Sequence, residues 1–266
     1  MQFDFIHKET WLHKINPSFK LIVILVLFIM VLFIHNINIM MNYMVVILFM
    51  FLLFSGQPAK RVILILIPVL FMFITTAIPM IFFGKGDTTW FGWGLIHITE
   101  ESFFRGIHVG LRALIFTGLG IIFALTTRPV FLFYSLMQQL KIPSKYAYSF
   151  LAGLRLIPIM IEEFQTIRYA MKVRGVQHKR GMKGFYEVLR KYSIPMLSQS
   201  IRRAHRVAVA MEAKRFSQVK NRTYYYKITF SWNDIMFVLY FLILLSAAYF
   251  ISVQYPYFAI TDVRYK

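Results

Sequence analysis

The sequence contains no cysteine, which removes disulfides, thiol catalysis and thiolate-built zinc sites together. It is also poor in charge. Only 15% of its residues are Asp, Glu, Lys or Arg, against about a quarter in an ordinary soluble domain. Acidic residues are the scarcest: 11, against 30 Lys and Arg, for a formal net charge of +19. No phosphate-cradling G-x-x-x-x-G-K-[ST] run occurs. Gly84-Lys85-Gly86 lacks the earlier glycine because Pro79 stands there, and residues 175–184 have the wrong spacing. The chain is therefore predicted not to hydrolyse ATP itself. Its seven histidines are dispersed, and no pair has metal-ligand spacing near carboxylates, so neither metal nor cofactor is expected. The opening residues carry Asp4 and Glu9 in place of the short basic start and apolar run of a signal peptide. The first spanning segment is expected to serve as its own insertion signal.

What is present in abundance is apolar. The chain of 266 residues is 58% hydrophobic, with a mean hydropathy of +0.61. The apolar residues fall in blocks near residues 21–34, 39–54, 62–83, 106–126 and 235–253. A helix needs roughly 20 mainly apolar residues to cross ~30 Å of hydrocarbon, and the blocks reach or approach that length. Pro68 and Pro79 inside the third are compatible with a spanning helix, where neighbouring groups re-satisfy the backbone. The sequence predicts an all-α, polytopic integral membrane protein with about five transmembrane helices.

Lys and Arg mark the cytoplasmic side. Lys8, Lys14 and Lys20 precede the first block, and Lys60 and Arg61 follow the second, whereas residues 35–38 between them carry no Lys or Arg. The N-terminus is thus predicted inside, and four crossings return the chain inside at Thr127. Between residues 141 and 227 stand 19 Lys or Arg and 4 Glu, a net of +15. That stretch has helical periodicity. Leu151, Leu154, Ile157, Ile161, Phe164, Ile167 and Met171 follow steps of three or four, and Ile194, Leu197, Ile201, Ala204, Ala208 and Met211 make a second stripe. The predicted helices are a short one over 129–140 and two long ones, the first ending at Gly175 and the second running over about 187–216. Three parts result: a membrane domain over 1–127, a cytoplasmic amphipathic domain over 128–233, and a last span with its tail over 234–266.

Within these parts, Arg112 is an intramembrane cation, a functional candidate by default, and snorkelling to the outer interface is the simpler account. Glu162-Glu163 read as ion-pair partners of Arg155, Arg168 or Arg203 rather than as a catalytic pair, since neighbours on a helix point about 100° apart. Two stretches resemble each other: Tyr169-Ala170-Met171-Lys172-Val173-Arg174-Gly175 and Val209-Ala210-Met211-Glu212-Ala213-Lys214-Arg215-Phe216. Each puts an Ala-Met-x-small-basic pattern at the end of a long helix. Cations there complement the last carbonyls. An arginine there also offers a donor fork to a partner carboxylate. Spacing alone leaves both readings open.

At these residues the sequence resembles the transmembrane T component of energy-coupling factor transporters, the family that includes the cobalt and vitamin uptake T proteins. Asn16-Pro17-Ser18-Phe19-Lys20-Leu21 looks like that family's N-terminal Asp-Pro-Arg-x-Lys-Leu pattern. Thr126-Thr127-Arg128-Pro129, Leu140-Lys141-Ile142-Pro143 and Arg155-Leu156-Ile157-Pro158 with Glu162-Glu163 resemble its coupling region. The resemblance implies a non-catalytic subunit of an ATP-driven importer in the cell membrane. Its partners would be two ATP-binding-cassette ATPase subunits, a substrate-binding S component for vitamin or metal-ion uptake and the lipid bilayer, with no nucleic acid. The family's two Ala-Arg-Gly-type motifs fall on Val173, Arg174 and Gly175, and on Ala213, Lys214 and Arg215. In the second, Lys stands in the Arg place and Arg in the Gly place, which leaves open which of the two makes the contact. Three readings compete with this one, of which a membrane enzyme lacks any acid, base or metal cluster. A stand-alone secondary transporter would place polar groups near the bilayer midplane. A membrane-anchored nucleic-acid binder would use the +15 region, but apolar stripes run along both of its helices.

Overall fold

The computed structural model describes residues 8–84, 86, 88–93, 96–175, 181–216, 223–258 and 263. Its helices are α1 (Pro17–Phe33), α2 (Ile37–Phe54), α3 (Ala59–Phe83), α4 (Glu100–Thr126), α5 (Pro129–Gln139), α6 (Ser144–Val173), α7 (Met182–Ala213) and α8 (Trp232–Gln254). A 3-10 turn, Trp11–Lys14, precedes them. Among the described residues α2, α3, α4 and α8 are long and apolar enough to cross a membrane. The 17-residue α1 is about 25 Å long at 1.5 Å per residue, slightly less than the hydrocarbon core.

Local chemistry sets the boundaries of these helices. Asn16 accepts from the Ser18 N–H and Pro17 occupies the first turn of α1, using an N-cap and a preset φ together. Asn36 caps α2 through the Asn38 and Ile39 N–H groups. Thr99 with Ser102, and Ser231 with Asp234, form reciprocal capping boxes at α4 and α8. These caps extend α4 to Glu100 and α8 to Trp232, beyond the apolar blocks read from the sequence, because capped polar turns continue a helix past its apolar part. The connector expected over 176–184 lies outside the described residues as far as Arg180, and from Met182 onward the chain is already in α7.

One departure from the all-α expectation lies between α3 and α4. β1 (Thr89–Trp93) pairs antiparallel with β2 (Ile96–Thr99), with Phe91 opposite Ile98 and Gly92 opposite His97. Thr, Trp, Phe and Ile suit a pleated surface better than a helix, and the period-two run Ile96-His97-Ile98-Thr99 was the signal for β2 in the sequence.

The chain forms two compact units, Leu136–Lys227 and a second made of Asp4–Ser135 with Ile228–Lys266. The second holds the apolar helices. Leu12, Ile24, Val31, Met40, Ile47, Ile115, Leu119 and Phe237 are buried at its centre. Outside, Ile29, Leu64, Phe71, Ile243 and Phe250 are each more than half exposed. Water would penalise such a surface at roughly 25 cal/mol per Å², whereas lipid matches it. α3 and α4 pack closely at Gly106 and Gly110. A Cβ on Gly106 would stand 3.0 Å from the Ala77 carbonyl oxygen, and one on Gly110 would stand 2.6 Å from the Phe73 ring. Between α2, α3 and α4 lies a cavity of about 240 Å³, lined by apolar residues that include Met44, Ile47, Phe51, Leu114, Ile115 and Gly118.

Candidate functional site

α6 and α7 end in the same way. Val173 is the last residue of α6, Arg174 is its C-cap, and Gly175 turns left-handed at φ +66°. The Arg174 N–H donates to the Ala170 carbonyl and the Gly175 N–H to Lys172, both at 3.1 Å. On α7, Ala213 is last, Lys214 is the C-cap, and Arg215 turns left-handed at φ +51°. The Arg215 N–H donates to Glu212 at 2.8 Å and the Phe216 N–H to Met211 at 3.0 Å. These two bonds are the Schellman pattern, which satisfies the orphan carbonyls of a helix end. By position in the turn, Lys214 is the counterpart of Arg174 and Arg215 the counterpart of Gly175.

Arg215 sits in a conformation that favours glycine, at a cost of about 1 kcal/mol for most other residues. Arg215→Gly is therefore expected to stabilise the end of α7 by roughly that amount. Thermal melting of the purified protein should rise by about 2–4 °C, and an unchanged or lower midpoint would refute the assignment.

Val173 is 88% exposed, and Arg174, Gly175, Ala213, Lys214 and Arg215 are exposed as well. The Arg174, Lys214 and Arg215 side chains make no hydrogen bond or ion pair with a described residue. The structure does not bring the two motifs together. Tyr148 near the start of α6 stacks edge-on against Phe216 just past α7 at 5.2 Å, Phe164 lies 5.2 Å from Tyr192, and Glu163 pairs with Arg203. These contacts make α6 and α7 antiparallel, so their C-terminal ends lie at opposite ends of the pair. The helix from Tyr148 to Arg174 is about 40 Å long at 1.5 Å per residue, which sets the scale of the separation. Each end carries an exposed cation beside the negative pole of a helix, held clear of other groups and open to an acidic partner.

The apolar stripes of these helices are largely uncovered. Ile157, Ile161 and Phe164 on α6, and Ile194, Leu197 and Ile201 on α7, are exposed. Glu163 finds Arg203, one of the three partners expected from the sequence. His178 lies outside the described residues.

Arg112 is anchored on a neighbouring helix. Because α4 begins at Glu100, it lies about three turns into the helix. Its Nη2 donates to the Ile34 carbonyl at 3.1 Å, at the C-cap of α1. It ties α4 to the end of α1.

The sequence reading missed a second polar node. Lys20, counted among the charges that mark the inner side, is 1% exposed. A cation in the first turn of a helix is disfavoured by the helix dipole, and that mismatch was the available signal. Its Nζ donates to the Leu12 carbonyl at 2.5 Å, to the carbonyl and hydroxyl of Thr126 at 3.2 Å each, and to the Thr127 hydroxyl at 3.4 Å. Nearby, His13 accepts from the Thr10 N–H at 3.1 Å. Burial, and then the Lys20 charge, push its pKa below the usual imidazole value.

A family profile described as "Cobalt transport protein" (CbiQ) matches residues 8–225. The chain is 26% identical over 245 residues to the energy-coupling factor transporter transmembrane protein EcfT of Macrococcus caseolyticus, spanning 88% of this chain and 91% of that one. It is 29% identical over 247 residues to the EcfT of Ruminiclostridium cellulolyticum, with 88% and 90% covered. To the EcfT of Brevibacillus brevis it is 28% identical over 239 residues, with 87% and 90% covered. The match takes in the N-terminal polar node and both cationic helix ends, and the chain belongs to the CbiQ family of cobalt transport proteins.

Proposed function

We propose that this chain is the transmembrane T component of an energy-coupling factor importer, a non-catalytic subunit that passes ATP-driven motion to a substrate-binding S component. One observation carries the reading. Two exposed cationic tips, Arg174 with its neighbours Val173 and Gly175 and Lys214 with Ala213 and Arg215, stand at opposite ends of an antiparallel helix pair. Two ends separated on the scale of a helix about 40 Å long suit two ATPase subunits, one at each tip. Closure of the ATPases on ATP moves the tips. α6 and α7 carry that displacement toward the spans and the S component, which reorients and releases its substrate inside.

The uncovered apolar stripes of α6 and α7 support a unit built to be covered by other surfaces, namely the S component and the bilayer. The Lys and Arg distribution supports a cytoplasmic N-terminus and a cytoplasmic coupling domain over residues 128–233. The apolar lining of the cavity between α2, α3 and α4 argues against a self-sufficient transporter, which would set polar groups there. The S component, a separate chain, selects the vitamin or metal ion.

Affinity purification of the tagged chain from its own membranes in mild detergent tests this. Two ATP-binding-cassette subunits and a small membrane protein are expected to co-purify. Recovery of the chain alone, or with nucleic acid in their place, would reject the reading.

A further inference from the structure

The peptide passes twice between the two compact units, leaving the apolar unit after Ser135 and returning to it at Ile228. Within the apolar unit, α4 ends just before the first passage, at Thr126, and α8 begins just after the second, at Trp232. The short segment over residues 10–20 grips both places. Lys20 reaches across to Thr126 and Thr127 and at the same time to its own Leu12 carbonyl. The Asn16 N–H donates to Asp234 Oδ1 at 2.7 Å, and Asp234 Oδ2 accepts from the Ser231 N–H at 2.7 Å. Asp234 is 2% exposed and Asn16 4%. The same segment holds a third helix end, since the Thr10 hydroxyl donates to the Phe54 carbonyl at the end of α2 at 2.7 Å. Trp11 packs against Phe54 and Phe237 at 5.8 and 6.2 Å.

The chemistry suits a rigid joint. A buried ammonium is costly unless its donors are all used, and here every acceptor is a neutral oxygen held by a helix end or a turn. The carbonyl at the end of α4 lacks an intrahelical partner, so a cation there satisfies what the helix leaves open. Solvated side chains would let these junctions flex. Bonds closed off from water, such as those of Lys20 and Asp234, move only together.

We propose that Lys20 and Asp234 are positioning residues that lock the departure of the chain from α4 and its return into α8 into one body. Displacement of the coupling helices is then delivered to the spans and is not absorbed by bending at Thr127–Arg128. The clamp rests on the T-component reading above.

The test uses the whole complex in lipid vesicles, with a defined mixture of radiolabelled water-soluble vitamins and cobalt(II) as the transport probe. Lys20→Met, Thr126→Val and Asp234→Asn are compared with wild type for co-purification, ATP hydrolysis and uptake per ATP hydrolysed. Assembly and hydrolysis are expected within about twofold of wild type, while uptake per ATP falls about tenfold in Lys20→Met and less in the other two. Lys20→Arg, which keeps the charge and several donors, should recover part of the loss. A merely structural lysine would lower the amount of complex and leave uptake per ATP unchanged, and that result overturns the clamp. If Lys20→Met does not assemble, Thr126→Val decides: wild-type uptake per ATP in that variant also overturns it. A wild-type complex that assembles without ATPases, or concentrates none of the probes, rejects the T-component reading, and the clamp falls with it.

Discussion

Arg174→Glu is expected to leave the protein folded and in the membrane while abolishing ATP-dependent uptake. The residue is exposed at the C-cap of α6 and makes no hydrogen bond or ion pair with a described residue, so little folding energy depends on it. Placing an acid at the negative end of a helix costs about 0.3–1 kcal/mol, too little to unfold a helix of 30 residues. Against the acidic partner surface proposed above, the same change would replace a charge-assisted pair by a like-charge contact. Losses of about 2–5 kcal/mol are typical when a buried interfacial pair is broken, which is a weakening of roughly 30- to several-thousand-fold. The ATPases should therefore be missing from the purified complex, and uptake should fall to background. Arg174→Lys should fall between, because a point charge replaces a planar fork. Unchanged recovery of the ATPases with Arg174→Glu would remove this contact from the mechanism. The shared turn geometry makes Lys214 the residue to test at the other end, since Arg215 occupies the position that Gly175 holds on α6.

The second large effect is on stability. Gly106→Leu is expected to destabilise the apolar unit by about 3 kcal/mol or more. A Cβ there would stand 2.4 Å from Ile81 Cγ1, 3.0 Å from the Ala77 carbonyl oxygen and 3.2 Å from the Ile81 nitrogen. A side-chain carbon can rotate away, but the two backbone atoms move only if α3 and α4 part. Lipid is as apolar as leucine, so there is little hydrophobic force to drive them back together. Close packing of small residues is what holds such a pair. Gly120→Ala is the internal control, because a Cβ there meets nothing within 4 Å. It should be neutral or stabilising by up to about 1 kcal/mol through helix propensity. Thermal aggregation in detergent reads both variants. Equal midpoints for Gly106→Leu and Gly120→Ala would show that the helices do not depend on this close approach.

The pattern of apolar blocks, and of Lys and Arg between them, was legible in the sequence because both signals are local. A run of Leu, Ile, Val and Phe needs only its own length to call for lipid. A stripe at steps of three and four needs only one helix. The likeness between the end of α6 and the end of α7 is likewise readable from a dozen neighbouring residues. The alternation Ile96-His97-Ile98-Thr99 in β2 is local too, but it is short and stands among stronger apolar signals.

The partnerships that hold these helices are not local. Lys20 reads as one more basic residue before a span, and only the fold brings it to Thr126 and closes it off from water. Arg112 reads as an intramembrane charge, and only the fold shows it capping α1. Asp234 belongs to the cap of α8 by spacing, yet its second bond crosses the whole sequence to Asn16. The sequence by itself determined which segments seek lipid and where cations end the long helices, since those depend on neighbours along the chain. Tertiary structure alone decided that the two cationic ends point apart and that one N-terminal segment binds α2, α4 and α8. Each of those facts depends on residues far apart along the chain, brought within bonding distance only once the helices have packed.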